Sequence, residues 1–158
     1  MKKLLLASTL LVTLPILNTV QAAAPTSGIK AKSQTEQNRN IVLDFYQGVF
    51  QKHHVKAYAD RYIGDQYIQH NPYVSDGKAP FVNYFTQYFK ENPTAQNTIK
   101  RAITDGDLVV LHVHSKQNEH DKGQAIVDIF RIENGKIVEH WDVIQNIPEQ
   151  SANQNSMF

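Results

Sequence analysis

Two periodicities divide the chain. Through the first half apolar residues recur every three or four positions, and from Gln96 onward they alternate. Ile41, Val42, Phe45, Tyr46, Val49 and Phe50 predict a helix over 35–51, and Val55, Tyr58 and Tyr62 a shorter one over 55–62. Phe81, Tyr84, Phe85, Tyr88 and Phe89 form an aromatic stripe on a third helix over 77–91, expected to face the core, which Asn92-Pro93 ends. The intervening 64–77 ends in turn residues. Strands follow over 96–104 and 107–115 around Asp105-Gly106, and a second hairpin spans 125–145 around Glu133-Asn134-Gly135-Lys136. Helices first and strands after predict an α+β layer fold with a four-stranded antiparallel meander.

The register of the last hairpin decides what it presents. A two-residue Asn134-Gly135 loop sets Val127 opposite Asp142. A three-residue loop, 133–135 with glycine left-handed, sets Asp128 opposite His140 with Cβ atoms about 5 Å apart. The three-residue loop is the expected one. It gathers Ile126, Asp128, Phe130, Val138, His140, Asp142 and Ile144 on one face: three ionisable groups in an apolar frame. Val127, Ile129, Ile137, Trp141 and Val143 form the other face. With both faces apolar, the sheet is expected to be covered by its own helices on one side and by a second subunit on the other.

Residues 1–22 have the form of an export signal. Lys2 and Lys3 precede an apolar run too short and too interrupted for a membrane span, and Val20-Gln21-Ala22 suits cleavage. Residues 23–34 read as a flexible arm, 35–148 as one domain and 149–158 as a polar tail ending in Met157-Phe158. A periplasmic or secreted location follows, without a lipid anchor, because no cysteine follows the apolar run. The 136 residues after the signal carry a formal charge of −1 and no basic run, which argues against nucleic acid and anionic membranes as partners. Zero cysteines exclude disulfides, thiolate metal sites and a cysteine nucleophile. There is no phosphate-binding glycine loop, no Gly-x-Ser-x-Gly elbow and no lysine in an apolar stripe.

Two stretches, YIQHNP (67–72) and DIFRIENGKIVEHWDV (128–143), are similar to the SnoaL-like polyketide cyclase family of the NTF2-like superfamily. The resemblance implies a cone, with a curved antiparallel sheet wrapped around helices, a deep apolar pocket and, in many members, a homodimer. It also implies that the general acid/base Asp of the last strand falls on Asp142. Asp128 stands where the polyketide cyclase carries His, and His70 and Asn71 border the pocket. Export is a second departure.

A carboxylate in such a pocket loses hydration, which favours proton transfer with a carbon next to a carbonyl. The expected function is acid/base chemistry without cofactor or metal on a small apolar carbonyl compound, of the aldol, cyclisation or isomerisation type. Asp142 is the acid/base and His70 assists, while Asp128, His140 and Asn71 orient and polarise the substrate. A non-catalytic periplasmic binding module is the alternative. A third reading is a metalloprotein built on His112 and His114, which share a strand face. With Gly106 and Glu119 they resemble a first cupin motif, but Gly123 comes too soon, no second motif follows, and the first half is helical.

Overall fold

The computed structural model describes residues 33–158; the expected signal segment and most of the expected arm lie outside the described residues. The order is α1 (Gln34–Phe50), α2 (Val55–Tyr62), β1 (Ile63–Gln69), α3 (Lys78–Glu91), β2 (Gln96–Asp105), β3 (Leu108–Lys116), β4 (Gln124–Glu133) and β5 (Lys136–Asn146). Three helices pack with a curved, unclosed five-stranded sheet in the order β1-β5-β4-β3-β2, the expected α+β NTF2-like fold. β2 to β5 are the predicted meander. β1 adds a fifth strand, parallel to β5, in the segment read from sequence as a link.

Local chemistry accounts for the boundaries. Ser33 caps α1 by accepting the Glu36 N–H at 3.2 Å, and Glu36 adds negative charge to the first turn. Val42, Phe45, Tyr46 and Val49 of α1 are all buried at helical spacing. Phe45 sits centrally, its ring 5.7 Å from Phe81, 6.0 Å from Phe130 and 6.5 Å from Tyr62, tying all three helices to β4. The first hairpin turns on Gly106-Asp107, since Asp105 pairs with Leu108, one residue beyond the expected turn.

The last hairpin differs from both expected registers. Its turn is two residues, Asn134 (φ 50°) and Gly135 (φ 76°), with Glu133 paired to Lys136 and Ile132 to Ile137. Val138 then forms a bulge, and beyond it Arg131 pairs with Glu139, Phe130 with His140 and Asp128 with Asp142. The expected inward set therefore survives with one exchange: Ile137, fully buried, takes the place predicted for Val138.

The α3 stripe is only half core. Phe81 and Phe89 are buried, whereas Phe85 and Tyr88 are half-buried and Tyr84 is 54% exposed. On the outer sheet face Ile103 and Val143 are exposed.

Helix α2 rests on α1 at Gly48, where a Cβ would lie 2.1 Å from the Tyr58 ring. Gly48→Ala should lower stability by about 1–3 kcal/mol through overpacking, despite the roughly 1 kcal/mol that alanine adds to helix propensity. Chemical denaturation checks this, and in a double-mutant cycle with Tyr58→Ala the two losses should sum to more than the loss of the pair.

Candidate functional site

The helices and the concave sheet face enclose a cavity of about 940 Å³. Phe50, Phe81, Phe85 and Phe89 form much of its apolar wall, and Asp128, His140 and Asp142 lie on its sheet side. The site is a consequence of the β4–β5 register, which points both carboxylates inward on directly opposed residues. Like charges facing each other across a ladder are destabilising, so each must be compensated by donors.

Asp128 is 6% exposed and has a donor on each oxygen. The Tyr46 hydroxyl donates to Oδ2 at 2.9 Å, and His140 Nε2 lies 3.0 Å from Oδ1. Tyr46 is itself directed, because its oxygen accepts from Asn97 Nδ2 at 3.1 Å, leaving its hydrogen for Asp128. Burial first, and the Asp128 charge second, push the Tyr46 phenol well above its ordinary value, so it stays a neutral donor.

His140 Nδ1 lies 2.9 Å from Gln69 Oε1, and that same oxygen accepts the Asn71 N–H at 3.0 Å. The second bond identifies it as the amide oxygen, so His140 Nδ1 carries a hydrogen. The 3.0 Å contact between His140 Nε2 and Asp128 Oδ1 is then a hydrogen bond when one further proton lies between them. β1 supplies this restraint: Gln69 pairs with His140 in the parallel ladder, and the His70 N–H donates to the His140 carbonyl at 2.9 Å.

Asp142, half-buried, is held from the segment after β1. Asn71 Oδ1 accepts the Tyr73 N–H at 2.9 Å in an Asx turn, which turns Nδ2 toward Asp142 Oδ2 at 2.7 Å. Among the described residues Asp142 Oδ1 accepts no hydrogen bond. Asp128, His140 and Asp142 each present one ligand atom within 4.8 Å of the others, so the group could hold a metal ion.

Of the five expected site residues, the structure brings Asp128, His140, Asp142 and Asn71 together. Asp128 and His140 meet diagonally, not as the directly opposed pair expected. His70 does not join them. Its ring lies on the other sheet face, stacked on Trp141 at 4.7 Å with Nε2 2.8 Å from Glu139. There His70, followed by Arg131, holds the Glu139 carboxyl below its usual range. His112 and His114 also lie outside the cavity lining. His112 Nδ1 is 2.9 Å from the Arg101 guanidinium, and His114 Nε2 is 2.7 Å from the Lys122 carbonyl.

Sequence reasoning missed Tyr46, Gln69 and Asn97, and it missed Tyr67. Tyr46 was visible as an inward helix residue, and the need of a buried Asp128 for donors was the signal that could have assigned its hydroxyl. Tyr67, 2% exposed, lines the cavity with a hydroxyl that makes no hydrogen bond, although the Gln69 side chain lies close by.

The profile of the SnoaL-like polyketide cyclase family matches residues 40–151. The chain belongs to this family. No curated protein matches it in sequence. Solved structures share the SnoaL-like fold. An NTF2-like protein from Mesorhizobium loti gives a TM-score of 0.60 at 18% identity, over 73% of this chain and 96% of that one. A candidate polyketide cyclase from Bacillus cereus gives 0.60 at 18%, over 72% and 78%. A candidate ketosteroid isomerase from Kribbella flavida gives 0.58 at 16%, over 75% and 85%. At these identities the likeness is one of fold, a pocket held by a curved sheet.

Burial, and then the charges of Asp128 and Asp142, raise the Tyr67 phenol above its ordinary value near 10. A raised value favours the folded state fully below the unfolded value, and that stability is lost as pH rises beyond it toward the folded value. Tyr67→Phe should therefore lose stability less steeply than wild type above pH ~10. Melting curves across pH check this, and an unchanged alkaline slope would contradict it.

Proposed function

We propose that this SnoaL-like pocket protein is exported and performs acid/base chemistry on a small, apolar, uncharged carbonyl compound, of the aldol, cyclisation or isomerisation type. The observation that carries the reading is Asp142, a carboxylate at the polar side of an aromatic cavity, tethered through Oδ2 by Asn71. Oδ1 is left to take a proton from a carbon next to the carbonyl and return it at another atom. The proton shared by His140 and Asp128 is the nearby donor for the enolate oxygen that forms. Two neighbouring carboxyls thereby take separate roles, one as base and one as part of a hydrogen-bonded donor. With the His140–Asp128 pair neutral overall, the remaining Asp142 charge disfavours anionic ligands. His70, paired on the other sheet face, has no part in this reading.

Export rests on the lysine-led apolar run of residues 1–22. The homodimer is proposed on the exposed apolar residues of the outer sheet face, Ile103 and Val143.

A second reading is favoured by one observation, the convergence of Asp128, His140 and Asp142 within 4.8 Å. Gln69, Tyr46 and Asn71 each hold one atom of these three side chains and leave another, as outer partners of metal ligands do. Two carboxylates and one imidazole suit a divalent first-row ion.

Native mass spectrometry of mature protein from the periplasm separates the readings. An organic mass on a metal-free protein supports the pocket chemistry and supplies a ligand, whereas a stoichiometric metal moves the assignment to the second reading. With a ligand-derived or simple aromatic ketone, deuterium exchange at the α-carbon measures proton transfer directly. Asp142→Asn should slow that exchange about 10²–10⁴-fold with the fold retained. Exchange at the wild-type rate would remove Asp142 from the mechanism, and tight binding without exchange would make the protein a binding module.

A further inference from the structure

The His112/His114 pair, unused by the cavity chemistry, is engaged by the chain that follows β5. Phe158 returns to the outer face of β3, where its ring stacks on His114 at 4.5 Å and lies 5.3 Å from His112. Lys100 Nζ, from β2, sits 5.3 Å from the ring centre. Each histidine is fixed on its edge as well. The Arg101 guanidinium only donates, so His112 Nδ1 accepts from it. The Lys122 carbonyl only accepts, so His114 Nε2 carries the hydrogen between them.

We propose that residues 147–158 form a strap, anchored by Phe158 on His112 and His114, that holds the β3–β4 loop and so fixes the rim of the cavity. Lys122 is the joint. Its carbonyl is held by His114, and its ammonium donates to the Glu149 carbonyl at 3.1 Å and to the Glu149 carboxylate at 2.7 Å. Next to it the Ile147 N–H donates to the Gly123 carbonyl at 3.1 Å. Gly123 has φ +85°, and a Cβ there would fall 2.0 Å from the Ser115 carbonyl, so the loop passes close against the end of β3 only because this residue is glycine. Lys122, Gly123, Ile147 and Glu149 all line the cavity. His114 thus joins the anchor to the rim through one ring, with a face on Phe158 and an edge on the loop.

The aromatic anchor carries this arrangement. The Lys122–Glu149 ion pair is solvent-exposed and screened, and such pairs contribute little alone. Ring stacking with a cation over the face is less dependent on salt and fixes the strap at a single point. Phe158 and His114 are therefore positioning residues: neither lines the cavity, and both act through the loop.

Amide hydrogen exchange by NMR on the full mature chain tests the strap, comparing wild type with Phe158→Ala and Phe158→Tyr. In Phe158→Ala the Ile147 amide, bonded to the Gly123 carbonyl, and the Gly123 amide, bonded to Asp121 Oδ1 within the loop, should exchange about tenfold faster or more, since opening of the rim becomes local and cheap. The His70 amide, bonded to His140 within the sheet, should keep its wild-type rate. Phe158→Tyr, which preserves the stack, should restore protection at Ile147 and Gly123. Unchanged rates at those two amides in Phe158→Ala would overturn the proposal. So would equal acceleration at His70, which would mark general destabilisation, or failure of tyrosine to restore protection.

Discussion

The structure is governed by two carboxylates that face each other from neighbouring strands inside an apolar wall. Left alone, Asp128 and Asp142 would repel and resist desolvation. The surrounding fold answers with partners drawn from distant parts of the chain: Tyr46 from α1 and Asn71 from the turn after β1 donate to the carboxylates, and Gln69 from β1 accepts from the His140 ring that faces Asp128. These contacts span 82 and 71 residues of sequence, so the charged pair couples the first helix and the first strand to the last hairpin. The same donors orient the groups, and stability and chemistry therefore depend on one set of bonds.

This economy explains why β1 runs parallel to β5 at the edge of an otherwise antiparallel meander. It brings the Gln69 amide beside His140 and fixes the imidazole hydrogen. It also sets Tyr67 on the cavity wall, within the field of Asp128 and Asp142.

Much of this was legible in the sequence. The periodic runs placed all three helices and the four meander strands within a residue or two. The inward face of the last hairpin gathered Asp128, His140 and Asp142 before any coordinates. The β1 strand was not legible, because Gly64-Asp65-Gln66 carries no alternating apolar signal and its pairing is long-range. The α3 stripe was legible as an apolar helix face but not as a wall: Tyr84, Phe85 and Tyr88 have the spacing of core residues and line the cavity instead. His70 was misplaced because motif proximity does not reveal which side of a strand end a side chain takes. The hydrogen bond between the His70 N–H and the His140 carbonyl decides that side, with the imidazole stacked on Trp141 on the outer surface.

The bulge at Val138 has a consequence for how such a hairpin can change over evolutionary time. In an uninterrupted ladder from the same turn, Trp141 would stand opposite Asp128 and Asp142 would point away from the cavity. The supernumerary residue inverts the parity of everything beyond it. The turn can then grow or shrink symmetrically, by one residue in each arm, and leave the inner surface as it is. A single insertion or deletion between Ile137 and Asp142 exchanges the inner and outer surfaces of the strand at one stroke. Length in this short segment is thus under stricter constraint than the identity of most residues within it.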